Sequence, residues 1–182
     1  MRIAIIHGFI GGGGGTEKTL LSIIEGFLES NFSVNLYSVS KPSVMIKNIQ
    51  MSSLLPFKFP FFGLYQRYLE SQLIKKVDKN ALIVQASGGF SIPLYKDQKI
   101  IVYCHHDFQN ESSKDITKYK GVWSLYYKPY YEMSQKFLSQ IGNENIYLIS
   151  NSKYVHDSIK RKFGKDSEII YPPVDLGEFA KK

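Results

Sequence analysis

Five consecutive glycines, at positions 11–15, follow a short apolar segment and precede an amphipathic one. Glycine carries no side chain, so such a run leaves backbone N–H groups accessible to a ligand. We expect Thr16 to cap a helix that starts there, and Glu17 to suit the positively polarised end of that helix. A helix N-terminus with accessible N–H groups is typical of a phosphate site. We therefore predict that this stretch is a place for phosphate, and we name residues 11–15 the glycine loop.

The spacing in the glycine loop departs from two known phosphate-binding patterns. The dinucleotide fingerprint requires glycine at its sixth position, where this chain has Thr16 or Glu17. The P-loop requires glycine directly before its Lys-Thr pair, and Glu17 stands there, before Lys18 and Thr19. A carboxylate at that place would repel phosphate, which disfavours a nucleoside triphosphatase. A flexible linker loop remains an alternative, although we expect a ligand to order five glycines because fixing them is entropically unfavourable.

Three histidines directly follow apolar runs that are typical of strands. His7 adjoins the glycine loop, and we expect it to bind a sugar or a phosphate, or else to order the loop. His105 and His106 precede a polar stretch, which favours a functional role. Asp107 is adjacent to them, but neighbouring side chains diverge, so the sequence predicts no metal site. Cys104 lies inside an apolar run and no nucleophile-elbow motif is present, so nucleophilic catalysis has no signature.

Strand-like and helix-like segments alternate along the chain. The predicted strands are residues 3–7, 34–39, 81–86, 100–104, 147–150 and 169–171, and the predicted helices are residues 17–30, 64–77, 123–141 and 153–163. Such alternation predicts an α/β fold, a Rossmann-like parallel sheet with helices on both faces. Ligands of these sheets bind beyond the carboxyl ends of the strands. The three histidines, Asn151 and Ser152 all fall at such ends.

Composition and charge limit the class of protein. With 182 residues, of which 43% are hydrophobic, the chain can form one globular α/β domain. It has no apolar run long enough to span a bilayer, no signal-peptide pattern, and a single cysteine, which fits a reducing cytoplasm. The net charge of +7 favours anionic partners such as nucleotide phosphates or acidic lipids. The lysines are dispersed, so nucleic acid is not an expected partner.

Two segments lie outside the alternating pattern. Residues 40–63 combine three prolines with apolar and aromatic residues around Lys58, which predicts either a loop packed across the domain or a segment that enters a membrane surface. Near the end of the chain, Tyr171 is followed by Pro172 and Pro173, which cannot continue a strand or a helix. We expect residues 1–171 to form the domain and residues 172–182 to begin a linker to a further domain.

Four stretches resemble the amino-terminal domain of family 4 glycosyltransferases of the GT-B fold, and they occur in the order found in that family. They are His7 with Gly14-Gly15-Thr16-Glu17-Lys18; Val102-Tyr103-Cys104-His105; Ile149-Ser150-Asn151-Ser152-Lys153-Tyr154 with Ile159 to Gly164; and Ile170-Tyr171-Pro172-Pro173-Val174-Asp175 with Phe179. Each stretch alone is weak, but together they are specific. The nearest look-alikes are mannosyltransferases that extend lipid-linked oligosaccharides.

The resemblance implies retaining transfer of a hexose, of mannose or glucose type, from a nucleotide sugar to a lipid-linked or polysaccharide acceptor. It implies no metal and no cofactor, a cytoplasmic enzyme, and peripheral contact with an anionic membrane. The family's carboxyl-terminal domain binds the nucleotide, and that domain is absent from these residues. We therefore expect the 182-residue chain to be inactive alone. The alternative is a non-catalytic Rossmann-like module that binds a nucleotide or a partner protein.

The resemblance also implies roles for particular residues. The loop residues Gly14 and Gly15, with Thr16, would meet the donor diphosphate in the closed enzyme. His105 would contact the donor sugar near the reacting carbon as the catalytic residue, with His106 as the alternative if the register differs by one. His7, His106, Asn151 and Ser152 would contribute to substrate binding.

Overall fold

A parallel β-sheet dominates the computed structural model, which describes residues 1–11, 13–56, 65–87, 95, 97–106 and 121–174. Its strands are β1 (Arg2–His7), β2 (Ser33–Ser40), β3 (Gln50–Leu55), β4 (Leu82–Gln85), β5 (Ile100–Cys104), β6 (Ile146–Ser150) and β7 (Glu168–Ile169). The helices are α1 (Gly15–Glu29), α2 (Tyr65–Leu73, continued by a 3₁₀ turn at Ile74–Lys76), α3 (Val122–Gln140) and α4 (Lys153–Phe163). The predicted α/β fold with a parallel, Rossmann-like sheet is confirmed.

The strand order, β3-β2-β1-β4-β5-β6-β7, brings every carboxyl end to one edge of the sheet. Strand β1 pairs with β2 on one side and with β4 on the other, and both pairings are parallel. The chain therefore winds away from β1 in two opposite directions. In doubly wound sheets, ligands bind in the crevice where the winding reverses. His7, the last residue of β1, lies at that point.

Helices pack on both faces of the sheet, as predicted. Strand residues alternate between the faces, so Ile3 and Ile5 pack against α1 on one side, whereas Ala4 and Ile6 face the other. The core on the face opposite α1 includes side chains from three helices, namely Leu73 of α2, Phe137 of α3, and Val155 and Ile159 of α4, together with Ile141, which directly follows α3. Because apolar side chains cover both faces of the central strands, their runs are continuous in sequence.

Part of our prediction for residues 40–63 is wrong. Gln50–Leu55 is not irregular but forms β3, the edge strand that pairs in parallel with β2. The segment has two central serines and no β-branched residue, so its strand propensity is low. Tertiary packing decides instead, since Met51 packs with the α1 core and Leu54 with the opposite core. Residues 57–64, which carry most of the aromatic part of the membrane hypothesis, lie outside the described residues.

Helix α4 matches its predicted bounds because both ends are encoded by side-chain type. The Ser152 hydroxyl accepts a hydrogen bond from Val155 N–H at 3.3 Å and caps the N-terminus. Gly164 ends the helix with a φ of 64°, a left-handed conformation that glycine adopts readily. Ile159 is fully buried between these ends. Ser152, Ile159 and Gly164 belong to the third of the four stretches that resemble glycosyltransferases, and these three residues have structural roles.

A groove of about 320 Å³ lies on the α1 face of the sheet, beside the second half of α1. Apolar side chains line it, among them Ile23, Phe27, Val84, Ile101 and Ile149, and we name it the apolar groove. The helices α3 and α4, which connect β5 to β6 and β6 to β7, pack on the opposite face. Right-handed crossovers require that placement.

Candidate functional site

Hydrogen bonds connect four neighbouring strand ends across the carboxyl edge. Ala86 N–H, just after β4, donates to the Ile6 carbonyl of β1 at 3.0 Å. His105 Nε2, after β5, donates to the Ala86 carbonyl at 2.9 Å, and Asn151 Nδ2, after β6, donates to the His105 carbonyl at 3.1 Å. Ser152 Oγ donates to Asn151 Oδ1 at 3.0 Å. The predicted residues from β5 and β6 are therefore in direct contact.

The His105 ring has a fixed position and tautomer. A carbonyl oxygen can only accept, so Nε2 carries a proton. The ring also packs edge-on against Tyr103, with centroids 5.0 Å apart, and the Tyr103 hydroxyl donates to the Ile170 carbonyl at 2.8 Å. These contacts restrict rotation of the imidazole, as a residue that orients a substrate requires.

The polar atoms of Asn151 and Ser152 are engaged within the protein. The Asn151 amide group holds the backbone of His105, while its oxygen accepts from Ser152. Ser152 also caps α4. Their substrate-binding role remains a prediction, and the contacts assign them the positioning of His105. His106 lies beside His105, half-buried, and its role likewise remains a prediction.

His7 is buried at the switch point, with 3% of its surface exposed. Its Nδ1 atom has no hydrogen-bond partner among the described residues. Burial is the main cause that lowers the His7 pKa to about 4; the charge of His105 lowers it further, and Glu17 acts in the opposite direction. The ring is therefore neutral at pH 7 and lies near both His105 and Glu17. A buried nitrogen without a partner is unfavourable, which marks it as a place where a ligand atom would bind.

The prediction that Thr16 caps α1 is wrong. Gly14 is the N-cap and makes no side-chain bond, and the helix begins at Gly15. The Glu17 carboxylate reaches back instead and accepts hydrogen bonds from the N–H groups of Gly11 and Gly13. Glu17 is the third residue of the helix, the position from which glutamate reaches back in a capping box. That spacing was the signal in the sequence for this contact.

Gly11 and Gly13 therefore have hydrogen-bond acceptors within the protein itself. Gly14, Gly15 and Thr16 are exposed at the first turn of α1. The first N–H groups of a helix have no intrahelical acceptor, and none is found for these three among the described residues. The residues predicted to bind phosphate thus present accessible donors, while Glu17 occupies the two donors before them. Gly12 lies outside the described residues.

Gly11 brings the loop against the connection between β2 and β3. Its φ of +129° is one that other residues rarely adopt, and a Cβ placed on it would lie 1.6 Å from Ser43 Oγ. Ser43 Oγ in turn donates to the Ile10 carbonyl at 3.2 Å. Only glycine fits at position 11.

A second polar cluster lies at the end of β4 and was not predicted from the sequence. The buried Glu70 of α2 accepts hydrogen bonds from Gln85 Nε2 at 3.3 Å and from Ser87 Oγ at 3.1 Å. Gln85 is the last residue of β4, and its side chain bonds Glu70 of α2. The next residue, Ala86, accepts the hydrogen bond from His105 at its carbonyl. No residue spacing in α2 distinguishes Glu70 from a surface glutamate.

Cys104 does not have the properties of a nucleophile. It is fully buried, and burial raises the pKa of its thiol to about 12.

Among the residues that the structure describes, no three His, Cys, Asp or Glu side chains converge as metal ligands do. No described helix is both long and apolar enough to cross a bilayer.

Comparison with protein-family models gives no match, and a search of the curated proteins finds no relative. The resemblance to family 4 glycosyltransferases therefore stays a prediction that rests on the four stretches of sequence.

A side chain at position 11 should destabilise the glycine loop. We expect Gly11→Ala to lower the free energy of unfolding by about 2 kcal/mol or more, because it adds a steric overlap with Ser43 to an unfavourable φ. Gly26→Ala is the matched control. Gly26 lies in the interior of α1 with nothing within 4 Å of an added Cβ, so the change should stabilise by about 0.5–1 kcal/mol. Urea denaturation measures both, and equal effects would contradict the close approach.

Burial of His7 should make stability depend on pH. Below pH 6.5 the unfolded chain takes up a proton that folded His7 resists until about pH 4, so stability falls as the pH falls through this window. At pH 5 this loss amounts to about 2 kcal/mol relative to pH 7. Urea denaturation of the wild type and of His7→Gln measures it, since contributions from other groups cancel in the difference. Parallel pH profiles would show that His7 is not buried as described.

Proposed function

We propose that this chain is the acceptor-side domain of a retaining glycosyltransferase that transfers a hexose from a nucleotide sugar to a lipid-linked or polysaccharide acceptor. The observation that carries the proposal is the hydrogen-bonded carboxyl edge, where the His105 ring is oriented, His7 ends β1 and the exposed first turn of α1 follows β1 in the chain. The residues proposed to contact the sugar and the phosphate belong to this one edge. A bound nucleotide sugar would need both groups of residues within the length of one molecule.

The chemistry that these residues would support is departure of a nucleoside diphosphate from the anomeric carbon. Negative charge grows on the leaving phosphate as the bond breaks, and the N–H groups of Gly14, Gly15 and Thr16 would stabilise it. Positive charge grows on the sugar ring, where the His105 backbone or ring would stabilise it or orient a hydroxyl. The acceptor hydroxyl attacks the anomeric carbon on the same face as the bond to the diphosphate breaks, and its proton passes to the departing diphosphate. No metal or cofactor takes part in this proposal.

The partners and the location follow from the same proposal. The net charge of +7 favours a nucleotide sugar as ligand and peripheral contact with an anionic, cytoplasmic membrane surface where a lipid-linked acceptor would be found. A second domain would hold the nucleotide, so the 182 residues alone should be inactive.

A non-catalytic binding module is the second candidate. Two observations favour it. The Glu17 carboxylate holds the glycine loop without any ligand, and the apolar groove offers a surface of the kind that protein partners cover. A glycosyltransferase would depend on His105 for sugar transfer, whereas a binding module would transfer no sugar.

Substitution of His105 tests the catalytic proposal. In a polypeptide that joins this domain to a nucleotide-binding second domain, we expect His105→Ala to lower the kcat for hexose transfer by about 10²-fold, because an oriented contact near the reacting carbon is lost. Transfer from a panel of nucleotide hexoses to a membrane lipid extract is the measurement.

The matched control is His156→Gln, another histidine near the carboxyl half of the sheet. The His156 side chain bonds Ser167, with Nδ1 donating to the Ser167 carbonyl at 2.8 Å. Its link to the carboxyl edge is a backbone hydrogen bond, from His156 N–H to the Ser152 carbonyl, which the substitution keeps. Its change should leave kcat within about twofold of the wild type. Unaltered transfer by His105→Ala, or absence of transfer from every donor by the joined wild type, would contradict the proposal.

A further inference from the structure

The Glu17 carboxylate occupies the position of an anion at the glycine loop. It accepts hydrogen bonds from the N–H groups of Gly11 and Gly13, and Glu17 is largely buried. Gly11 N–H donates to one carboxylate oxygen and Gly13 N–H to the other. Backbone N–H groups that point at one anionic group are donors that a phosphate can also use. The protein's own carboxylate therefore fills one part of a phosphate site, directly beside the accessible N–H groups of Gly14, Gly15 and Thr16.

His7 offers this carboxylate a second position. The Nδ1 atom of His7 is buried and has no hydrogen-bond partner among the described residues. Glu17 is close enough for its charge to act on the His7 ring. A carboxylate that left the loop could accept a hydrogen bond from Nδ1–H, and the exchange would give that buried nitrogen a partner.

We propose that Glu17 is an internal competitor of the donor diphosphate. A diphosphate bound to Gly14, Gly15 and Thr16 displaces the Glu17 carboxylate from Gly11 and Gly13 toward His7. The inference rests on the proposed function, since it takes the diphosphate of a nucleotide sugar as the ligand. The competition weakens diphosphate binding, because the ligand reaches the N–H groups of Gly11 and Gly13 only after the Glu17 carboxylate has left them. When the site is empty, the carboxylate keeps the loop N–H groups paired.

Titration with inorganic pyrophosphate, without metal, tests the competition in the 182-residue chain. We expect calorimetry to give about tenfold tighter binding for Glu17→Gln than for the wild type, because a neutral amide competes less well for N–H donors and does not repel the ligand. Glu25→Gln is the matched control: Glu25 is exposed on the same helix, and its loss changes the net charge equally. Its affinity should equal that of the wild type.

Amide NMR of the wild type provides a readout that does not depend on a variant. We expect pyrophosphate to shift the Gly11 and Gly13 amide signals toward their positions in Glu17→Gln. Weaker binding by Glu17→Gln, or shifts at Gly14, Gly15 and Thr16 with none at Gly11 and Gly13, would overturn the displacement and leave the phosphate site standing. Absence of binding by all three proteins would overturn both the displacement and the phosphate site.

Discussion

The hydrogen bonds from Gly11 and Gly13 to the Glu17 carboxylate are the contact on which the carboxyl edge depends. They hold a loop that has no side chains of its own, and they fix it relative to the first turn of α1. The loop then meets Ser43 on one side and the end of β1 on the other. Without this internal carboxylate, a bound anion would have to offset the entropy that is lost when the glycines are fixed.

Burial and hydrogen bonds position the other residues at the carboxyl edge of the sheet. Parallel pairing aligns the ends of β1, β4, β5 and β6, and the bonds through Ala86, His105 and Asn151 join them. His7 is buried, and the charges of His105 and Glu17 both act on its ring. An anion and a neutral hydroxylated group could both be bound there, which is the combination that a nucleotide sugar presents.

Much of the fold could be predicted from the sequence, because buried parallel strands give continuous apolar runs and amphipathic helices give a 3.6-residue period. Helix α4 was predicted to the residue, since Ser152 and Gly164 encode its ends. Strand β3 was missed because its register with β2, not its composition, makes it a strand.

Part of the candidate site could likewise be predicted from the sequence, and part could not. His7, His105 and Asn151 were predicted from their places after apolar runs, and they do converge at one edge. The contacts of Glu17 and Glu70 depend on which backbone groups tertiary structure brings near them. A carboxylate next to the glycine loop was interpreted as repelling phosphate, whereas it first pairs with the loop.

The most direct test of the account is a crystal structure, with a bound nucleotide hexose, of the polypeptide that joins this domain to a nucleotide-binding second domain. The account predicts phosphate oxygens within about 3 Å of the backbone nitrogens of Gly14, Gly15 and Thr16, with the hexose in contact with His105. A nucleotide sugar bound in the apolar groove, or a carboxyl edge that stays empty at saturating ligand, would contradict it.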